Sequence, residues 1–179
     1  MLHPVSLCDL LLRLAERGFY RPLWSERILG ETAASVLAKH PQVAAEALAR
    51  RIGHMRRAFP DALVTGYEPL AASLKSLGTD AHVVAAAVTG HADVIVTQNV
   101  KDFPDDALVP HRIAAQTADD FLIHQWWLDP QAAALVIKEQ SEGTRRPHYP
   151  PLELLQQLRK VVPGFATLAA QSAELGRLL

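Results

Sequence analysis

Two carboxylates lie where an α/β protein commonly binds its ligand. Asp80 precedes Ala81–Thr89, an almost wholly apolar segment that predicts a helix, and Gly90 lies where that helix should end. Asp102 follows Ala92–Thr97, whose Val-Ile-Val core lacks polar alternation and predicts a strand buried on both faces of a parallel sheet. Because open α/β sheets bind ligands at the carboxyl ends of their strands, we expect the two carboxylates to share one site.

A longer motif runs through the same stretch. Residues 79–104 contain D-x-H-V-x-A-A-A followed by A-D-V-I-V-T-x-N-x-K-D-F-P. This pattern resembles the second half of a PIN domain, in the branch of bacterial toxin-type (VapC-like) ribonucleases. The resemblance implies a three-layer α/β/α fold with a mostly parallel sheet, and an acidic cluster that binds Mg²⁺ or Mn²⁺. Similar proteins also carry a helical C-terminal extension, so we predict a PIN-like nuclease domain at 1–116 and the extension at 117–179.

The resemblance assigns the metal site to three carboxylates. Glu31 lies in S-E-R-I-L-G-E, where similar proteins place a helical metal-binding glutamate, while Asp80 and Asp102 match the aspartates of the quoted motif. Mg²⁺ takes hard oxygen ligands and bridges to substrate phosphate, so such a cluster can activate water for phosphodiester hydrolysis. Taken singly, each residue has an ordinary alternative. Asp80 or Thr79 can cap a helix, Asp102 can be a turn residue, and Glu31 can be an exposed helical glutamate.

Other polar residues near these carboxylates have less specific roles. Thr97 and Asn99 flank Asp102 on one turn, and they either orient a carboxylate or metal-bound water, or satisfy the backbone of the turn. The eight histidines lack a zinc-binding spacing, and we expect His82 to pack at the start of its helix.

A basic cluster ends the segment before Pro60. Its arginines are Arg50, Arg51, Arg56 and Arg57. One interpretation is a solvated face that favours the C-terminus of a helix. The other is a surface that contacts the phosphates of a nucleic acid, with Arg145 and Arg146 as a second candidate location.

Composition restricts the class of protein. The chain has 179 residues, of which 49% are hydrophobic, so it is about one folded domain rather than a disordered segment. Its net charge of −1 means that any nucleic-acid binding must come from a local patch. A single cysteine excludes an intramolecular disulfide and a cysteine-based zinc site. No apolar run suits a membrane span or signal peptide, and we expect a cytoplasmic protein.

Periodicity and breaker residues predict the remaining elements. We expect mixed α/β structure to about residue 116 and only helices after it. The predicted helices cover Leu7–Leu14, residues 25–40, Pro41 to Ala58, a short segment through Leu74, Asp119–Trp127, residues 130–140, 151–162 and a last one from Pro163. The further predicted strands are residues 19–24, 62–65 and 112–115.

The start of the chain departs from the family pattern. PIN domains are expected to begin with an apolar strand that ends in the first aspartate of the acidic cluster. Here Met1–Pro4 resembles the residues that follow this aspartate, and a predicted helix comes next. We therefore expect that Met1 is not the natural start and that an upstream segment encodes the strand and its carboxylate. Without that strand, its two neighbours in the sheet would have unpaired edges.

Three functions are compatible with these features. The first is a metal-dependent PIN-class endoribonuclease, the toxin of a toxin–antitoxin pair, with RNA as substrate, an antitoxin as partner, a homodimer as a further expected assembly and no membrane association. The second is a non-catalytic PIN scaffold that binds RNA or a protein. The third is a DNA-directed nuclease, since PIN-like folds also occur in flap-processing enzymes.

Overall fold

Helices dominate the chain, and a short parallel sheet lies in the middle of its sequence. The computed structural model describes residues 5–145 and 147–178. Its α-helices are α1 (Val5–Glu16), α2 (Glu26–Lys39), α3 (Ala45–Ala58), α4 (Glu68–Ser73), α5 (Ala81–Thr89), α6 (Asp105–Leu108), α7 (Ala118–Leu128), α8 (Pro130–Gly143), α9 (Pro151–Leu158), α10 (Pro163–Ala170) and α11 (Ala173–Gly176). The strands β1 (Val94–Val96) and β2 (Ala114–Gln116) pair in parallel, with Ile95 opposite Ala115.

The described residues form two compact units. One, here called the sheet unit, is Arg21–Thr117, and it contains both strands and α2 to α6. The other, here called the helical unit, joins the residues up to Tyr20 with those from Ala118 onward, so α1 belongs with the C-terminal helices. The predicted α/β class, parallel sheet and helical C-terminal region are confirmed.

Helix α5 is the centre of the sheet unit, and its predicted bounds are confirmed. Val84 and Ala87 belong to one buried apolar cluster, while Ala85 and Ala86 belong to a second one with Val64 and Tyr67. The other buried members of the first cluster are Ile95, Phe103, Leu108 and Ile113. A helix that is apolar on all sides is stable only when it is covered on all sides, and α5 meets that condition.

The strands are shorter than predicted. In β1 only Ile95 is buried while its two neighbours are half-buried, so the prediction of burial on both faces is wrong. The strands predicted at 19–24 and 62–65 are reduced to a single parallel bridge between Trp24 and Leu63. The strand predicted at 112–115 begins only at Ala114, because Arg112 has a left-handed backbone with φ of 58°.

Several helix boundaries also differ from the prediction. The start of α3 is Ala45 rather than Pro41, because a turn in which Val43 N–H donates to His40 O separates it from α2. The predicted Ser25 cap of α2 is confirmed, since its hydroxyl accepts from Ile28 N–H at 3.2 Å. Later in the chain, α8 continues to residue 143, α9 ends at residue 158, and α11 is an additional short helix.

Apolar side chains and one helix cap organise the helical unit. Leu7, Leu10 and Leu14 are buried on the predicted apolar side of α1. Trp126 of α7 packs edge-to-face with Phe165 of α10, with ring centroids 6.2 Å apart. The carboxylate of Asp119, on α7, accepts from Gly164 N–H at 2.8 Å and Phe165 N–H at 2.7 Å. An anion at the start of α10 satisfies two amides that have no partner inside that helix.

Tyr20 connects the middle of α1 to α7 within the same unit. Its hydroxyl donates to Leu11 O at 2.7 Å, and its ring packs edge-to-face on Phe121 at a centroid distance of 4.9 Å. Burial, and to a smaller degree the nearby Cys8 thiol, raises the pKa of Tyr20 well above its usual value, so it remains a neutral donor. Within the part of the chain that the structure describes, every helix is too short or too polar to cross a membrane.

Gly90 provides the first prediction. A Cβ at this position would lie 2.9 Å from Val64 Cγ2, 3.0 Å from Leu23 Cδ1 and 3.1 Å from Ala86 O. We expect Gly90→Ala to destabilise the protein by roughly 1–3 kcal/mol through overpacking, measured by thermal or urea unfolding. The matched control is Gly30→Ala, in an open position inside α2, which should stabilise by roughly 0.5–1 kcal/mol through helix propensity. Equal effects of the two substitutions would contradict the close packing at Gly90.

Asp119 provides the second prediction. Asp119→Ala should lower the free energy of unfolding by about 1–2 kcal/mol, the usual cost of a lost N-terminal cap, with Asp119→Asn intermediate because it retains one accepting oxygen. Glu142→Ala, an exposed carboxylate in the same unit, should stay within about 0.5 kcal/mol of the wild type. An Asp119→Ala protein as stable as the Glu142→Ala control would show that the cap contributes nothing.

Candidate functional site

Glu31 lies in the middle of α2, one helical turn after Arg27. The Arg27 Nε–H donates to Glu31 Oε1 at 2.8 Å, and both side chains are about half-exposed, at 53% and 52%. Hydrogen bonding to Glu31 raises the pKa of Arg27 above its already high usual value. Such exposed i, i+4 pairs add little to stability, but this one keeps a cation beside the carboxylate.

The other oxygen of Glu31 faces His82, which we expected only to pack at the start of its helix. His82, in the first turn of α5, is only 2% exposed, and its Nε2 lies 3.0 Å from Glu31 Oε2. Its Nδ1 lies 2.8 Å from Thr79 O. The contact brings the predicted carboxylate of α2 to the start of α5. In the sequence, only the histidine of the D-x-H-V motif could have pointed to this contact, and its distance from the other histidines is not typical of a metal site.

Asp80 immediately precedes α5 and is half-buried. Its backbone is already helical, with φ of −90° and ψ of −2°, and its side chain makes no capping hydrogen bond to α5. The alternative in which Asp80 caps the helix through its carboxylate is therefore wrong. A metal-binding role for Asp80 stays a prediction.

Asp102 lies beyond the carboxyl end of β1, in a 3₁₀ turn that spans Val100–Asp102. The side-chain amide of Asn99 donates to Asp102 Oδ2. Thr97 has a different role, because its hydroxyl accepts from Asn99 N–H at 3.1 Å. Of the two alternatives left open by the sequence, Asn99 thus contacts the carboxylate and Thr97 satisfies the backbone of the turn.

The structure therefore places the predicted residues in two local groups. Glu31 meets the helix start that carries Asp80, and Asn99 meets Asp102 at the end of β1. Their oxygens have the chemistry that a hard divalent cation prefers. Across residues 5–145 and 147–178, however, no set of three His, Cys, Asp or Glu side chains is close enough to hold a metal ion. Metal binding by Glu31, Asp80 and Asp102 together stays a prediction.

A cleft of about 310 Å³ adjoins the Glu31 group. Arg27 and His82, the two partners of Glu31, both line it, together with Tyr67, Glu68 and Thr79. Small apolar residues of α4 and α5, among them Ala71 and Ala81, complete its wall. The wall of the cleft thus contains the cation Arg27, the carboxylate Glu68 and the aromatic Tyr67, together with residues at the start of α5.

The arginines of α3 do not form one surface. Arg56 is ion-paired with Glu26 of α2, whereas Arg50 and Arg57 are exposed and seven residues apart, on one side of the helix. The exposed His54 lies between them on that side, and Arg51 is half-buried. Among the alternative candidates, Arg145 is exposed, while Arg146 and Met1–Pro4 lie outside the described residues.

Comparison with known proteins gives two family matches. The PIN domain model matches residues 1–101, and the model of the VapC50 C-terminal domain matches residues 118–171. The chain is also 43% identical over 114 residues to VapC50 of Mycobacterium tuberculosis, a proposed ribonuclease, and this alignment covers 62% of the chain and 68% of that protein. No solved structure gave a significant match.

The difference between the ion-paired Arg56 and the exposed Arg50 and Arg57 of α3 gives the third prediction. If this helix contacts single-stranded RNA, the double variant Arg50→Gln/Arg57→Gln should reduce the slope of log K against log salt by roughly 1.4, because two fewer phosphate contacts release fewer counterions. Arg56→Gln is the matched control, since its guanidinium is already paired with Glu26. Filter binding or fluorescence anisotropy across a salt series measures the slope. An unchanged slope in the double variant would place RNA elsewhere, with Arg145 as the next candidate.

Proposed function

This chain belongs to the PIN domain family, and we propose that it is a metal-dependent endoribonuclease that acts as the toxin of a toxin–antitoxin pair. The observation that carries the proposal is the pair of matches, which together extend from the PIN region through the helical C-terminal region. The relationship to a proposed ribonuclease, VapC50, supports RNA as the substrate. The predicted site supports it further, because Glu31 contacts the same helix start that carries Asp80.

In this proposal the carboxylates hold Mg²⁺ or Mn²⁺. When bound, such an ion would make an attacking water more acidic and would supply positive charge for the departing oxygen. Glu31, Asp80 and Asp102 would be its protein ligands. Asn99 orients Asp102 through the hydrogen bond from its side-chain amide, and Glu31 is held between Arg27 and His82.

We further propose that the cleft beside Glu31 and one side of α3 bind the substrate. The cleft beside Glu31 would receive the RNA strand next to the scissile phosphate, with Arg27 as a cation at its wall. The side of α3 that carries Arg50 and Arg57 would contact phosphates farther along the strand. We also propose that an antitoxin covers this site and that the toxin forms a homodimer. Its proposed location is the cytoplasm.

RNA cleavage by the purified protein tests the proposed function. We expect Mn²⁺-dependent cleavage of single-stranded RNA that falls roughly 10²–10⁴-fold in Glu31→Gln, Asp80→Asn or Asp102→Asn, because a weakened metal site would no longer activate the attacking water and losing such activation costs about this range. Asp93→Asn is the matched control, because Asp93 is an exposed carboxylate just before β1. It should retain wild-type activity.

Calorimetry with Mn²⁺ tests the metal site separately. Mn²⁺ should bind the wild type and raise its melting temperature, because a ligand of the folded state stabilises that state. The double variant Asp80→Asn/Asp102→Asn should bind weakly or not at all. Equal binding by both proteins would refute this metal site. RNA binding without cleavage under any metal condition would instead favour the non-catalytic PIN scaffold, and cleavage of DNA alone would favour the DNA-directed nuclease.

A further inference from the structure

The cleft beside Glu31 is formed by three parts of the sheet unit. Arg27 of α2 lines one part of its wall, and Tyr67 and Glu68 at the start of α4 line a second part. The third part consists of residues that lead into α5, among them Gly78 and Thr79. With a volume of about 310 Å³, the cleft is at the small end of the range for ligand sites, so it suits one flat ring with its attached sugar.

The shape of the cleft suits a ring better than a branched group. Ala71 and Ala81 give its wall small apolar side chains. Gly78 has a left-handed backbone with φ of 53°, and a Cβ added there would meet no atom within 4 Å. The wall at Gly78 is therefore bare backbone beside open space, which a ligand can approach closely. Tyr67 is buried in the cluster that contains Val64, so its part of the wall is rigid.

The carboxylate of Glu68 determines which part of a nucleotide can occupy this cleft. Glu68 is exposed, and neither an ion pair nor a hydrogen bond links its carboxylate to another side chain that the structure describes. A free carboxylate repels a phosphate, since both are negatively charged. It can accept hydrogen bonds from the N–H groups of a neutral base. The cleft therefore suits the base of a nucleotide rather than its phosphate.

We propose that this cleft binds a guanine base of the RNA substrate and that Glu68 is its specificity-determining residue. The two oxygens of Glu68 would accept from N1–H and from the N2 amino group of guanine. Hydrogen bonds to a charged acceptor are roughly twice as strong as neutral ones, and a pair of parallel bonds adds geometric selectivity. The inference rests on the proposed function for its substrate, a single strand of RNA.

The other bases match a carboxylate less well. Uracil has one N–H group between two carbonyl oxygens, and these oxygens would face the negative charge. Adenine and cytosine each have one amino group beside a ring nitrogen that can only accept. Guanine has two neighbouring donors on this edge, the arrangement that both oxygens of a carboxylate require. Single-stranded RNA leaves this edge free for recognition, because its bases are unpaired.

The cleft also adjoins the carboxylates of the predicted metal site. Arg27 lines the cleft and donates to Glu31, and Thr79 of the cleft wall is followed directly by Asp80. A guanine in the cleft would therefore belong to a nucleotide beside the scissile phosphate. Arg27 provides positive charge at the same wall, where the backbone of that nucleotide would pass.

The first experiment measures RNA binding by the full chain in EDTA, so that neither metal nor cleavage contributes. The probes are short single-stranded RNAs of uridines with one central guanine, inosine or adenine. We expect the guanine RNA to bind roughly 5–150-fold more tightly than the adenine RNA, the usual range for a two-bond contact to a base. Inosine lacks the N2 amino group and should be intermediate. Equal affinities for the guanine and adenine RNAs, measured by fluorescence anisotropy, would overturn the proposal.

The second experiment locates the bound base. Amide ¹H–¹⁵N spectra of the full chain should show shifts at Gly78 and Thr79 that are larger with the guanine RNA than with the adenine RNA. Tight binding of the guanine RNA without any change at these amides would place the base outside the cleft and refute the inference.

Substitution of Glu68 tests its role in selecting the base. Glutamine has one accepting oxygen and one donating amide group, which match N6 and N1 of adenine. Glu68→Gln should therefore abolish or reverse the preference for guanine over adenine. Glu46→Gln, an exposed glutamate of α3 outside the cleft, removes the same charge and should change the affinity for both RNAs by the same factor. Melting temperatures establish that both variants are folded. A Glu68→Gln protein that keeps the wild-type preference would refute the role of Glu68.

Mn²⁺-dependent cleavage distinguishes this inference from the proposed function. A guanine preference that depends on Glu68, in a protein that cleaves no RNA, would refute the proposed nuclease and support the guanine site. Cleavage at positions unrelated to guanine, in both the wild type and Glu68→Gln, would support the nuclease and overturn the guanine site.

Discussion

Burial of α5 on all sides is the constraint on which the sheet unit depends. Its alanines and valines contribute to two apolar clusters at once, one shared with Ile95 and Phe103 and the other with Val64 and Tyr67. Small side chains allow the neighbouring elements to approach closely, and Gly90 extends this close packing to the end of the helix. Helix α5 is therefore packed against β1 and against the segment that contains Val64 and Tyr67.

This constraint positions the polar groups of the candidate site. The N-terminal end of α5 presents Asp80 and His82, and its position lets His82 meet Glu31 on a separate helix. Glu31 then lies between the buried imidazole of His82 and the half-exposed guanidinium of Arg27. The environment of Glu31 thus includes one tertiary contact, with His82, while the exposed pair of Arg27 and Glu31 would form on an isolated helix as well.

Asp102 belongs to a more local arrangement. It follows β1 directly, and its partner Asn99 is only three residues away in the sequence. The turn holds its own polar groups together, with Thr97 satisfying the Asn99 amide. The site accordingly consists of one group assembled by tertiary packing and one assembled by a single turn. A metal ion shared by both groups would add a link between α2, α5 and the end of β1.

The sequence by itself determined the features that depend on neighbouring residues. An unbroken apolar run with Gly90 after it defined α5, the Ser25 hydroxyl marked the start of α2, and the spacing of Leu7, Leu10 and Leu14 defined the buried side of α1. The family pattern likewise nominated Glu31, Asp80 and Asp102, whose shared role stays a prediction.

Only the tertiary structure decided which distant groups meet. The predicted outer strands are reduced to one bridge, because strand length depends on partners that local propensity does not report. Asp80 makes no capping hydrogen bond, because its backbone is already helical. His82 faces Glu31 rather than only packing, and this contact depends on where the tertiary structure places α2 relative to the start of α5. The pattern of residues within one segment cannot predict the contact between Glu31 and His82. These residues are far apart in the chain, and they come close together only when the chain folds and buries its apolar faces.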